Sequence, residues 1–272
     1  MSFWRKHLMG ESRTRDVLLV LAALVAIWEI GVWYYQPPKI FLPPPSAILA
    51  EFLTTPGLFV RHMGYTLWTT LLAFAVSVAL GIALAVAIVY SRFLERTIYT
   101  LLVALNSVPK VALAPLFVIW LGTGMEPKIA VAVMLALFPI VIDTVLGLRS
   151  VDPDMVNLAR AAKASQLQIL AKIRFPNALP SLFAGMKVAI SFALVGAIVG
   201  EFVAGGNGLG FLVLVAQGQF DTTRVFVSLV LLGLMGTALF YAIDFAERLM
   251  LPGTSRSVAK AATSMAAERQ SA

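Results

Sequence analysis

Apolar runs near residues 17–36, 65–90, 97–121, 128–149, 182–203 and 225–249 are each long enough to cross the roughly 30 Å of hydrocarbon in a bilayer. Nothing else in the sequence constrains the fold as much. In lipid, every backbone N–H and C=O must be paired inside the protein, and a helix does this segment by segment. The chain is 60% hydrophobic and 13% charged, with a mean hydropathy of +0.88, whereas a soluble domain is nearer half apolar. The runs consume so much of the 272 residues that no separate catalytic domain fits. The expectation is an all-α membrane protein of about six transmembrane helices in one membrane domain.

Between the runs lie the expected boundaries. Residues 1–16 form an N-terminal tail, 17–60 a first span with an outer proline-rich connector, and 61–249 a core that encloses a polar segment at 152–180. Residues 250–272 are Ala, Ser and charge without a sustained apolar face, a composition that predicts a disordered tail. The first run passes into Gln36-Pro37-Pro38 without a small-residue cleavage site, so it reads as an anchor and not a removed signal peptide. Pro37, Pro38, Pro43, Pro44 and Pro45 stiffen the connector that follows, and Ser46–Leu53 has the pattern of a short amphipathic helix.

The net charge of +7 is explained by its placement. With the N-terminus in the cytoplasm, that side carries Arg5, Lys6, Arg13, Arg15, Arg92, Arg96, the basic residues from Arg149 to Arg174, Arg248 and the tail. The outer loops hold only Lys39, Arg61, Lys128 and Arg224, the asymmetry of the positive-inside rule. Both termini are thus expected in the cytoplasm, with membrane lipid and not nucleic acid as the charged partner. The chain has no cysteine, and its two histidines, His7 and His62, offer no ligand cluster, so neither disulfides nor a metal site are expected.

The segment from Asp152 to Pro180 reads as two helices and a break. Asp152 is an N-cap with Pro153 at the first helical position. Ser165 with Gln168 makes a capping box for a second helix, which Pro176 and Pro180 would stop before the fifth span. Leu158, Ala161 and Ala162 give the first helix a small apolar face, and Leu167, Ile169, Leu170 and Ile173 give the second a stronger one. A capped, apolar helix pair between spans points to a docking role for a partner protein.

This segment resembles the signature of ABC importer permeases, a Glu-Ala-Ala triplet with a Gly four residues on and Ile-x-Leu-Pro ten residues after that. The triplet falls on Asn157-Leu158-Ala159, the Gly on Lys163, and the last part on Ile173-Arg174-Phe175-Pro176. Ala159, Ile173 and Pro176 agree; Asn157, Leu158, Lys163 and Phe175 depart. The flanks are similar to the nitrate, sulfonate and taurine branch: Phe41-Leu42-Pro43-Pro44-Pro45, Ala114-Pro115-Leu116 through Trp120-Leu121-Gly122, Ala164-Ser165, Pro176 to Pro180 and Gly208-Leu209-Gly210, in that order.

The resemblance implies a type I ABC importer permease (MetI-like) fold in the bacterial cytoplasmic (inner) membrane. It implies a homodimer around a central path, a separate ABC ATPase and a periplasmic or lipid-anchored solute-binding protein. It assigns ATPase coupling to Asn157, Leu158, Ala159, Ala162, Lys163, Ala164, Ser165, Ile173 and Pro176. A glycine in that turn would take a left-handed conformation that a lysine reaches only at a cost of about 1 kcal/mol. Lys163 therefore predicts a turn built differently, or an added charge contact to the ATPase. No Gly-x-x-x-x-Gly-Lys-[Ser/Thr] occurs, so no cofactor is expected here and ATP belongs to the partner.

Ionisable groups at bilayer depth are costly and call for a reason. Lys110, with Ser107, Pro109 and Pro115 around it, is either a cation on the translocation path, suited to an anionic solute, or the partner of a carboxylate such as Glu201 or Glu29. Glu201 is placed on the path with Lys110 and Ser107, and opens a run whose Gly205, Gly206, Gly208 and Gly210 suit a bent outer gate. Glu29, Asp143, Asp244 and Glu247 are expected near span ends, paired or snorkelling. Gly196 and Gly200 form a face for close approach of another helix, within the subunit or across the dimer.

A proton- or sodium-driven transporter would show paired repeats with broken helices, and a membrane enzyme a catalytic constellation; the sequence shows neither. The cargo is expected to be a small anion such as a sulfonate, taurine or nitrate, with a vitamin precursor or aromatic acid as the alternative.

Overall fold

The structure, a computed structural model, describes residues 2–38, 40–99, 104 and 108–251. Ser107 and the tail from residue 252 onward lie outside the described residues. The described chain is helical: α1 Ser2–Tyr35, α2 Pro45–Thr54, α3 Pro56–Tyr90, α4 Ala114–Leu121, α5 Glu126–Arg149, α6 Pro153–Ala161, α7 Gln166–Ile169, α8 Phe175–Ala204, α9 Leu209–Gly218 and α10 Thr222–Met250. Among the described residues, Arg15–Tyr35, Pro56–Tyr90, Glu126–Arg149, Gln166–Ala204 and Thr222–Met250 are long and apolar enough to span a membrane. The third expected span is described over Lys110–Leu121, a shorter apolar helix. It opens as a 3-10 turn at Lys110–Leu113 after Pro109, and α4 then starts with Pro115 in its first turn.

The centre of the bundle is the antiparallel pair α5–α8, with α3 packed along α5. Its seam is built of small residues. A methyl added at Gly196 would sit 2.5 Å from the Ala132 Cα, and one at Gly200 would sit 2.6 Å from the Lys128 Cα. Gly185 likewise lies against Asp143, and Gly147 against Ala178. The paired numbers fall on one side and rise on the other, the register of two antiparallel helices in contact along their length. Lipid gives apolar side chains no reason to leave it, so backbones held this close by dispersion are what holds such a pair together. Gly196 and Gly200 are thus filled by α5 of the same chain and offer no surface to a second copy.

Around this seam, Phe74, Ala136, Ile140, Leu182, Ala189, Ile190 and Ala193 form one buried cluster, and Ala85, Ile88, Val141, Val145, Leu148 and Ala178 a second toward the Arg149 end. Helix α10 flanks α8, and Lys187 of α8 bridges Asp244 and Glu247 of α10. This is the pairing expected of those two acids. Helix α2 packs Ile48 against Phe59, Leu212 and Val227, and Glu51 holds Arg224 of α10 at 2.8 Å. The Glu29 carboxylate of α1 caps α2 in turn, accepting from the Ser46 amide at 3.0 Å and its hydroxyl at 2.7 Å. The proline-rich connector is therefore anchored at both ends. Trp28 of α1 also packs on Phe226 of α10, with ring centres 5.5 Å apart, but the apolar window of the α1 span holds no buried residue.

Two expectations are corrected. The span ends lie further out than hydropathy suggested: α3 begins at Pro56, not 65, and α10 at Thr222. Pro176 and Pro180 do not stop the second short helix. It runs on through a π turn at Leu170–Arg174, closed by Phe175 N–H to Leu170 C=O, directly into α8. A π turn bonds each amide one residue further back, which absorbs the donor missing at Pro176, and Pro180 falls inside the continuing helix.

Candidate functional site

At the Arg149 end of the bundle, α6 and α7 form the helix pair expected from the sequence. Asp152 accepts from the Asp154 amide at 2.8 Å with Pro153 at the first helical position. The capping box is complete: the Gln168 amide donates to the Ser165 hydroxyl at 3.2 Å, and the Ser165 amide to the Gln168 side chain at 2.8 Å.

The turn between them is the one that a glycine would make. Lys163 has φ +60°. Its N–H bonds to Arg160 C=O at 2.9 Å and the Ala164 N–H to Ala159 C=O at 2.9 Å, the paired bonds of a Schellman ending. The expectation of a differently built turn is overturned, because these bonds satisfy the last carbonyls of α6 and offset the strain at Lys163. Replacing Lys163 by glycine removes the strain and is expected to raise stability by about 1 kcal/mol, visible as a higher unfolding temperature of the purified chain. An unchanged or lower temperature would show that the left-handed turn is not strained.

The pair folds on a small core of its own. Val151, Val156 and Ile169 are buried together, with Ala159, Ala164 and Ile173 packed on them. The other apolar face is left open: Leu158 and Leu167 are each 73% exposed, and Met155 is 55% exposed. Asn157, Ala162, Lys163, Ser165 and Pro176 are exposed with it. The groove beside Leu167 is lined by Tyr90, Gln166 and Leu170, with the Tyr90 hydroxyl donating to Gln166 C=O at 3.2 Å. Two caps, a Schellman turn and a private core hold the apolar face in a fixed shape without using it.

At the opposite end, Glu201 is fully buried and collects the glycine run. One carboxylate oxygen accepts from the Thr66 hydroxyl at 2.7 Å, the other from the Gly210 amide at 2.8 Å. The Leu209 amide donates to the Thr66 hydroxyl oxygen at 2.8 Å, and the Gly208 amide to His62 Nδ1 at 3.1 Å. Lys128 closes the other side, its ammonium donating to Gly205 C=O at 2.7 Å, Asn207 C=O at 3.2 Å and the Tyr65 hydroxyl at 3.3 Å.

Positive φ at Gly205, Gly206 and Gly208 bends this loop, and a side chain at Gly208 would overlap the Glu201 carboxylate. Read from the sequence as an outer-loop cation, Lys128 instead sits in the first turn of α5 and is 1% exposed. Three acceptors compensate its burial.

Between the two ends, Lys110 reaches a cavity of about 370 Å³ lined by Leu135, Phe138, Pro139, Ile142, Asp143 and Phe192. The Lys110 ammonium lies 5.2 Å from the centre of the Phe138 ring. Glu201 is taken up by the glycine loop, and Glu29 by Ser46. Asp143, expected near a span end, lines this cavity well inside α5.

Comparison with known proteins identifies the family. Residues 77–256 match the family model described as the binding-protein-dependent transport system inner membrane component. The formylaminopyrimidine transport permease ThiX of Halalkalibacterium halodurans is 34% identical over 234 residues, 86% of this chain and 94% of that protein. The riboflavin transport system permease RibX of Chloroflexus aurantiacus is 34% identical over 235 residues, covering 86% and 88%. The aliphatic sulfonates transport permease SsuC of Escherichia coli is 30% identical over 230 residues, covering 84% and 88%. Among solved structures, an inward-facing form of the MetNI methionine ABC transporter aligns with TM-score 0.64 and 23% identity over 72% of this chain and 97% of that one, a likeness of fold. The chain therefore belongs to the binding-protein-dependent transport system inner membrane components, as an ABC importer permease of the branch that holds the sulfonate, nitrate and taurine permeases.

Proposed function

We propose that residues 152–176 dock this permease onto a separate ABC ATPase subunit, and that ATP hydrolysis there moves α8 through the π turn at Leu170–Arg174. The observation that carries this reading is the open face of the helix pair: two leucines, each 73% exposed, on a segment whose own core is already satisfied. Exposed apolar side chains held by caps and not by packing are what a docking surface needs. The basic side chains Arg160, Lys163 and Lys172 at this end put it in the cytoplasm. The pinned glycine loop then faces the side from which a solute-binding protein delivers cargo. The unburied apolar window of α1 is left for lipid or for the second copy of a homodimer.

The cargo belongs to the range handled by the relatives, whose names give formylaminopyrimidine, riboflavin and aliphatic sulfonates. A small polar solute is common to all. Copurification tests the docking. The intact chain is expected to carry an ATPase through detergent extraction and affinity capture, and a chain with residues 157–165 scrambled is expected to lose it. Retention of the ATPase by the scrambled chain would defeat the docking assignment.

A further inference from the structure

We propose that the cavity at Lys110 and Asp143 reads its solute as a small dipolar molecule carrying an amino group, and discriminates against a simple anion of the same shape. The inference rests on the permease reading and adds a selection step inside the membrane. The groups in the wall are of opposite kinds. Lys110 supplies an ammonium at one side, and Asp143, on α5, supplies a carboxylate. Pro139 in the same wall lacks an N–H, so α5 has no i→i−4 bond to the Leu135 carbonyl at this level.

Gly185 brings α8 close against Asp143: a methyl there would meet the Asp143 Cβ at 2.9 Å and the Pro139 carbonyl at 3.1 Å. No hydrogen bond or ion pair from Asp143 occurs among the described residues. Phe138 and Phe192 supply flat apolar walls. None of the lining residues is fully buried, so the cavity is open on one side and solute can enter from the bundle surface.

One carboxylate and one cation define what fits. A nitrate or an alkanesulfonate would approach Lys110 but set its negative charge near Asp143 and offer that carboxylate no donor. A solute with an amino group at one end and an acceptor or anionic group at the other satisfies both sides, its body lying against the phenylalanines. A site built around donors from its solute rejects an analogue that lacks them far more strongly than an apolar pocket rejects a missing methylene. Taurine and an aminopyrimidine share this chemistry on different frames.

The test uses two pairs of probes, each differing by one amino group: taurine with ethanesulfonate, and 4-aminopyrimidine with pyrimidine. Binding to the full chain in lipid nanodiscs is read by ligand-observed saturation-transfer NMR. In at least one pair the amino member is expected to bind about tenfold more tightly than its partner. Asp143→Asn is expected to bring the two within about twofold, and Lys110→Gln to weaken the amino member as well.

Equal binding within both pairs, no binding by any probe, or a preference that survives Asp143→Asn overturns the proposal. Size exclusion of each variant shows whether it is folded. If Asp143→Asn fails to fold, the probe pairs and Lys110→Gln decide. ATPase copurification scores the docking reading separately: an ATPase that copurifies with a chain indifferent to the amino group sinks this inference and leaves the docking intact.

Discussion

Glu201→Ala is expected to destabilise the purified permease by about 3–5 kcal/mol, the cost of breaking a buried, hydrogen-bonded charge from one side. Three groups lose a partner at once. The Thr66 hydroxyl and the Gly210 amide lose their acceptor, and the Lys128 ammonium loses the nearby negative charge that offsets its burial. Gly210 lies in the first turn of α9, where amides have no partner within the helix, so its N–H is left buried and unpaired. The glycine loop then loses its buried carboxylate anchor and is held by Lys128, His62 and Thr66 from the neighbouring helices.

Native proteins hold a margin of only about 5–15 kcal/mol, so a loss of this size shows as poor accumulation in the membrane and a large fall in unfolding temperature. Glu201→Gln keeps one oxygen as acceptor and is expected to fall between wild type and alanine. An alanine variant as stable as wild type would mean that the buried cluster does not hold the loop.

The second large effect is on coupling. Leu158→Asp with Leu167→Asp places two charges on the open face of the helix pair while leaving Val151, Val156 and Ile169, the caps and the Schellman turn untouched. Each side chain is 73% exposed, so neither change opens a cavity or buries a charge, and the chain is expected to fold with its unfolding temperature within a few degrees of wild type. Against an apolar partner surface the same charges would be desolvated, at a cost of several kcal/mol each. Solute uptake by the whole transporter is therefore expected to fall at least tenfold, with no change in the amount of permease in the membrane. Uptake at wild-type level from the double variant would remove the open face from the coupling pathway.

What could be read from the sequence is what is decided locally. Asp152 with Pro153, and Ser165 with Gln168, announce helix starts because a cap uses residues within one turn of each other. The apolar runs announce the spans because lipid acts on each helix alone. Lys163 was misjudged because the bonds that offset its left-handed backbone belong to the turn as a whole, and Ala161-Ala162-Lys163-Ala164 contains no residue that signals one. Pro176 and Pro180 look like stops until the π turn that absorbs them is seen.

Hydropathy puts Lys128 in an outer loop and Asp143 near a span end for one reason: it counts a charge as a break whatever its surroundings. The carbonyls that receive the Lys128 ammonium lie more than seventy residues downstream, and nothing local marks them. Helix α9, Leu209–Gly218, went unseen because ten residues are too few to span a bilayer. Its only forward signal is Gly208, whose φ of +116° ends the loop where the helix begins.

The natural chain has no cysteine, which makes site-directed crosslinking the most direct test of the docking face. Single cysteines at Leu158 and Leu167 are compared with one at Phe41, which is 74% exposed at the other end of the bundle. Each is treated in native membranes with a short bifunctional reagent. Covalent adducts to an ABC ATPase are expected from 158 and 167 and none from 41, with ATP altering the yield as α6 and α7 move with their partner. Adducts absent from both leucine positions, or formed equally well from 41, would contradict the assignment of this helix pair as the place where hydrolysis reaches the membrane.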